Sequence, residues 1–99
     1  MVIWSDPAKT DLRSIYNSIA HDSTHYANKV SQDIAAKPDV LDELPRIGKV
    51  VPELGDDDIR ELSIYSYRII YEIREPDIVV LAVIHKRRDF QPEMIERNK

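Results

Sequence analysis

Leu12, Ile15, Tyr16 and Ile19 recur at i, i+3, i+4 and i+7, so they share one face of a helix, with Asp11, Arg13, Asn17 and Ser18 turned elsewhere. Before them, Val2-Ile3-Trp4 is a short apolar run of strand type that stops at Ser5-Asp6-Pro7. There Asp6 reads as the helix cap and Pro7 as the first helical position. His21-Asp22-Ser23 interrupts the pattern, and Ser23 is placed to cap a second helix from about Thr24. Ala27, Val30, Ile34, Leu41 and Leu44 keep its spacing. Pro38 sits inside that run and removes one N–H, so the helix has to kink or restart there. Pro45 and Gly48 close the segment.

From Lys49 the period changes to that of strands, at 49–53, 59–64, 67–73 and 78–85. The acidic loop Gly55-Asp56-Asp57-Asp58 separates the first two, and Tyr65-Ser66 and Glu75-Pro76-Asp77 read as tight turns. The run Ile78-Val79-Val80-Leu81-Ala82-Val83-Ile84 is apolar on both faces. It fits a central strand with helices over one side and a loop, the tail or a partner over the other, which makes that second side a candidate docking surface. The expected fold class is therefore α+β: a strand at 2–5 and a helical hairpin at 7–44 packed on a mostly antiparallel sheet, followed by a polar tail at 89–99. At 99 residues this is one domain with one core.

The chain carries 14 Lys and Arg against 18 Asp and Glu, but unevenly: residues 1–59 hold 6 basic and 11 acidic side chains, residues 60–99 hold 8 and 7. An acidic chain gains little from general attraction to a nucleic-acid backbone, so any such contact would be local. With no cysteine there is neither a disulfide framework nor a thiolate site, and the expected compartment is the cytoplasm. No apolar run is long enough to span a bilayer. His21 and His25 straddle the helix break, no metal-ligand spacing or Gly-rich phosphate loop is present, and no metal or cofactor is expected.

The chemistry concentrates in the strands. Arg68 lies among Tyr67, Ile69, Ile70 and Tyr71, where an unpaired guanidinium is costly to bury, so it should meet water, a ligand or a carboxylate; the plainer account is an ion pair with Glu61 or Glu72. Arg60 starts the neighbouring strand beside an acidic loop that can neutralise it. His85-Lys86-Arg87-Arg88 leaves the central strand as a compact basic run with an imidazole at its base, suited to anion binding or to acid-base work, although such runs are commonly just solvated strand ends. A meander of adjacent strands can gather these three positions at one end or face of the sheet.

Trp4, Asp6-Pro7-Ala8, Asp11-Leu12, Pro45-Arg46-Ile47-Gly48, Val51-Pro52-Glu53-Leu54, Arg60-Glu61-Leu62, Tyr67-Arg68-Ile69-Ile70-Tyr71 and Val83-Ile84-His85-Lys86-Arg87-Arg88-Asp89 together resemble the RelE/ParE superfamily of type II toxins, over residues 2–90. The resemblance implies a helical hairpin on an antiparallel sheet and a cognate ParD- or RelB-like antitoxin. It implies one of two activities: ParE-like inhibition of DNA gyrase without catalysis, or RelE-like cleavage of mRNA on the ribosome. The ribonuclease branch carries lysines on the strand before the Tyr-Arg pair and a tyrosine near the C-terminus; here stand Ile59 and Glu61, and Phe90, Gln91 and Glu93. Under the nuclease alternative Arg68, His85 and Arg87 would be the catalytic set. The missing proton carriers and the acidic balance favour the ParE-like branch, with Arg60, Arg68, His85, Lys86, Arg87 and Arg88 as target- or antitoxin-binding residues.

Overall fold

A computed structural model describes residues 1–95. Five strands, β1 (Val2–Trp4), β2 (Lys49–Val50), β3 (Ile59–Ile64), β4 (Tyr67–Arg74) and β5 (Asp77–His85), form one sheet in the order β1-β5-β4-β3-β2. Helices α1 (Asp6–Ala20) and α2 (Thr24–Ala36) cover one face, and Pro38 restarts the chain as a 3-10 turn, Lys37–Asp42. The β2–β3, β3–β4 and β4–β5 pairs are antiparallel, while β1 lies parallel to β5. The fold is thus α+β on a mixed sheet, and the strand that is apolar on both faces is interior, between β1 and β4.

Two caps set the hairpin. Ser23 Oγ accepts the Tyr26 N–H at the start of α2. At α1 the cap is Ser5, whose Oγ accepts the Ala8 N–H at 3.2 Å, so the reading that places Asp6 at this position is corrected by one residue. Ser5 also donates its backbone N–H to Val80 O and its hydroxyl to Leu81 O, tying the helix start to β5. Beyond Trp4 no strand among the described residues pairs that edge of β5, and Asp11 takes over: its carboxylate accepts the Val83 N–H at 3.0 Å. Burial holds the Asp11 carboxyl above its usual range, opposed by this hydrogen bond and by the charge of Arg88. Asp11→Ala strands the Val83 N–H and is expected to cost about 1–3 kcal/mol in denaturant unfolding, with Asp11→Asn, which keeps an acceptor, costing less.

The helix side of the sheet is packed by Ala8, Val30, Ile34, Ile69, Val80 and Val83, with Trp4, Leu12, Ile15 and Ile19 against them. Leu41, Tyr71, Ile73 and Ile78 extend that side under the 3-10 turn. Leu44, which carries the helical spacing in sequence, is exposed. The opposite side is also dry. Val51, Ile59, Ile70, Leu81, Ala82, Ile84, Phe90 and Ile95 form a second cluster there, completed by Leu54, Val79 and Met94. The docking surface expected on that face is therefore largely filled by the chain's own loop and by residues 90–95 of a tail read as polar; its last residues, 96–99, lie outside the described ones. Strand β2 is shorter than 49–53 because Pro52 lacks an N–H and residues 51–55 fold into a turn on the Val51 carbonyl.

Candidate functional site

The two-residue turn Tyr65-Ser66 fixes the β3–β4 register, with Ile64 opposite Tyr67, Ser63 opposite Arg68 and Arg60 opposite Tyr71. Side chains alternate along a strand, so Arg60 and Ser63, three apart, point to opposite faces. Arg68 shares the face of Ser63 and Ile84, whereas Arg60 shares that of Tyr71. The sheet therefore does not gather Arg60 and Arg68 on one face.

Arg60 holds two internal segments together. Its Nε donates to Asp57 O at 2.9 Å and its Nη1 to Gly48 O at 2.9 Å and Arg46 O at 3.3 Å, pinning the segment before β2 to the acidic loop. Arg46 supports the same loop through Asp58. The adjacent Tyr71, fully buried, donates its hydroxyl proton to Pro45 O and accepts the Gly48 N–H.

Arg68 is held on both sides by carboxylates. Glu61 takes Nε at 3.2 Å and Nη2 at 2.6 Å; Glu53 takes Nη1 and Nη2, each at 2.9 Å. Phe90 lies over the guanidinium, 5.4 Å from ring centroid to Cζ. Hydrogen bonds donated to the two carboxylates raise the Arg68 pKa, and the same contact with Arg68 lowers that of Glu53. The Glu61 pair is the one open to sequence reasoning; Glu72 pairs with Arg74 instead. Glu53 was not foreseen as a partner, since a loop residue fifteen positions away leaves no periodic trace.

The basic run fans out. His85 faces Tyr67, ring edge to face at 5.4 Å, and its Nδ1 accepts the Arg87 N–H. Lys86 joins Lys49, Pro52, Glu53, Glu61, Ser63 and Arg68 around a groove of about 450 Å³. Arg87 lines a second groove, of about 520 Å³, with Tyr65, Ser66, His85 and Lys86, while the charge of Arg88 acts on Asp11 on the helix side. Arg68 and His85 project from opposite faces, because Tyr67 pairs with His85 and Arg68 with Ile84. His85, Lys86, Arg87 and Arg88 are all exposed. They make an accessible basic edge beside the exposed Tyr65, whose hydroxyl donates to Asp33 on α2.

A separate groove of about 450 Å³ crosses the hairpin, with an apolar lining from Trp4, Leu12, Tyr16 and Ala35 and the cations Lys9 and Arg13 beside it. Ser31, also in its wall, has a buried Oγ without a hydrogen-bond partner. His21 and His25 are exposed, and no group of three metal-ligating side chains comes together among the described residues. Nor is any helix among them long and apolar enough to cross a membrane.

No curated protein sequence matches the chain significantly. Among solved structures, the chromosomal ParDE toxin-antitoxin system of P. aeruginosa superposes with a TM-score of 0.72 at 21% identity, over 85% of this chain and 92% of the other, which establishes the shared fold. The family model for the ParE toxin of the type II toxin-antitoxin system parDE matches residues 2–90, from β1 through Phe90. With nine-tenths of the chain inside that model, the protein belongs to the ParE toxin family of type II toxin-antitoxin systems.

Proposed function

We propose that this ParE-like toxin acts by binding DNA gyrase, without catalysing a reaction itself, and is neutralised by a cognate ParD-like antitoxin. The observation that carries the binding reading is the face from which Arg68 projects. A guanidinium that projects from the face opposite His85 is poorly placed to stabilise a phosphorane whose proton His85 would move. The exposed basic edge of His85, Lys86, Arg87 and Arg88 remains as a recognition surface, while Arg60 and Arg68 are engaged within the fold.

Purified protein is expected to inhibit gyrase supercoiling and to leave mRNA on ribosomes uncut. Untouched supercoiling together with ribosome-dependent cleavage that His85→Ala abolishes would reverse the assignment to the RelE-like nuclease. For the antitoxin, the apolar groove across the hairpin with Lys9 and Arg13 beside it fits a segment of apolar and acidic side chains. Arg13→Glu is expected to weaken that complex about tenfold at low salt, and less at high salt, since a rim charge acts through a screened field. An affinity indifferent to Arg13→Glu would place the antitoxin elsewhere.

A further inference from the structure

Five charged side chains, Lys49, Glu53, Glu61, Arg68 and Lys86, line the groove on the sheet face away from the helices, together with Pro52 and Ser63. Arg68 and the two glutamates engage one another. Lys49 and Lys86 join no ion pair among the described residues, Lys49 acting on Glu53 through its charge alone.

The two carboxylates are not equivalent. Glu61 is on β3, its side chain 4% exposed and both oxygens on Arg68, so it is part of the sheet. Glu53 rides on the turn at 51–55, its side chain 35% exposed, and takes two N–H donors of Arg68 side by side as a bound oxyanion would. Rotating the Glu53 side chain into water gives up its bonds to Arg68 and to its own backbone N–H but leaves the turn intact, held by the Leu54 and Gly55 N–H groups on Val51 O and by the packing of Val51 and Leu54. With Glu53 in place the five groups sum to +1; with it swung out they sum to +2. That charge matches a phosphate dianion. A tetrahedral oxyanion also has oxygens enough to meet the Arg68 fork along one edge and two ammonium groups along the others, which a carboxylate lacks.

We propose that this groove is a phosphate-binding site held shut by the chain's own Glu53, and that its ligand is a phosphomonoester dianion taking the two Arg68 donors that Glu53 now occupies, with Lys49 and Lys86 completing the shell. The site does not require gyrase as the target, and it shares Lys86 with the basic edge. Its affinity is set by how seldom Glu53 leaves Arg68, because a ligand that needs the open state is weakened by the fraction of molecules that are open.

Isotope-labelled wild type and Glu53→Gln can be titrated with inorganic phosphate while the Arg68 Nε–H resonance is followed by NMR. Glu53→Gln is expected to bind about tenfold or more tightly than wild type, and adding Lys86→Ala or Lys49→Ala to it is expected to take most of that gain back. Uridine monophosphate and O-phosphoserine, titrated in parallel, should both bind if the site reads the phosphate itself, and the stronger of the two names its source; chloride at equal ionic strength should do nothing. The proposal is overturned if Glu53→Gln binds phosphate no better than wild type, or if its binding ignores Lys86→Ala and Lys49→Ala. If Glu53→Gln does not fold, Glu53→Asp keeps the charge but withdraws the carboxylate by one methylene, and the same comparison applies.

Discussion

Arg68→Ala is expected to destabilise the fold by about 3–5 kcal/mol, because it leaves the Glu61 carboxylate, 4% exposed, buried without its counter-charge. The loss is large against a total stability of roughly 5–15 kcal/mol and should lower Tm by on the order of 20 °C. Removing Glu53 instead should cost far less, since its own side chain is 35% exposed and Arg68 keeps Glu61 as its counter-charge. Arg68→Met combined with Glu61→Leu should recover much of the loss, since both charges then leave the interior together. Urea unfolding of the two single variants and the double variant checks this. Equal costs for Arg68→Ala and Glu53→Gln would show that Glu61 is not the residue that makes Arg68 indispensable. The pH dependence of wild type adds a sign: the Arg68 contact lowers the Glu53 pKa below its unfolded value, so its contribution is present above the ordinary glutamate range and is lost as pH falls through the folded value. Arg68→Ala should lack that component.

Gly48→Ala is expected to cost about 3 kcal/mol, at the upper end for overpacking, although only a methyl group is added. The new Cβ would lie 2.5 Å from the Tyr71 hydroxyl and 2.6 Å from the Glu61 backbone oxygen. Neither can yield cheaply. Tyr71 is fully buried with its hydroxyl engaged at Pro45 and Gly48, and the Glu61 carbonyl belongs to β3. Separating β2 from β3 would also disturb Arg60, which binds Gly48 O and Arg46 O. Tyr71→Phe alone strands the Gly48 N–H and the Pro45 carbonyl and should cost about 1–3 kcal/mol. Combined with Gly48→Ala it should cost less than the sum, because the closest clash is then gone; a purely additive cycle in thermal unfolding would mean that the backbone, and not the hydroxyl, sets the penalty.

Much of this architecture was legible in residue spacing. The i, i+3, i+4 pattern of Leu12, Ile15 and Ile19 marks the face that packs on Ile69, Val80 and Val83, and the double-sided apolar run marks β5 as interior. What escaped is what depends on adjacency across the fold. Ser5 and Asp6 are neighbouring cap-type residues, and only the helix geometry chooses Ser5. That Glu53 reaches Arg68, or that Phe90 and Ile95 cover the second face of the sheet, leaves no periodic signature. The separation of Arg60 from Arg68 is different. A two-residue turn at Tyr65-Ser66 fixes which residues face each other, and parity alone then assigns the two arginines to opposite faces.

The placement of β5 between β1 and β4 bears on when the protein can exist at all. Val2, Ile3 and Trp4 pair with Ile78, Val79 and Val80, so β1 has no partner until β5, more than seventy residues later, has been synthesised. The hairpin of α1 and α2 can form early but has no sheet to cover until then. During translation the sheet therefore stays incomplete until β5 has left the exit tunnel, and its second face until Phe90 and Ile95 have followed. A partner already present in the cell has the whole of that interval to be in place before there is a finished surface to bind.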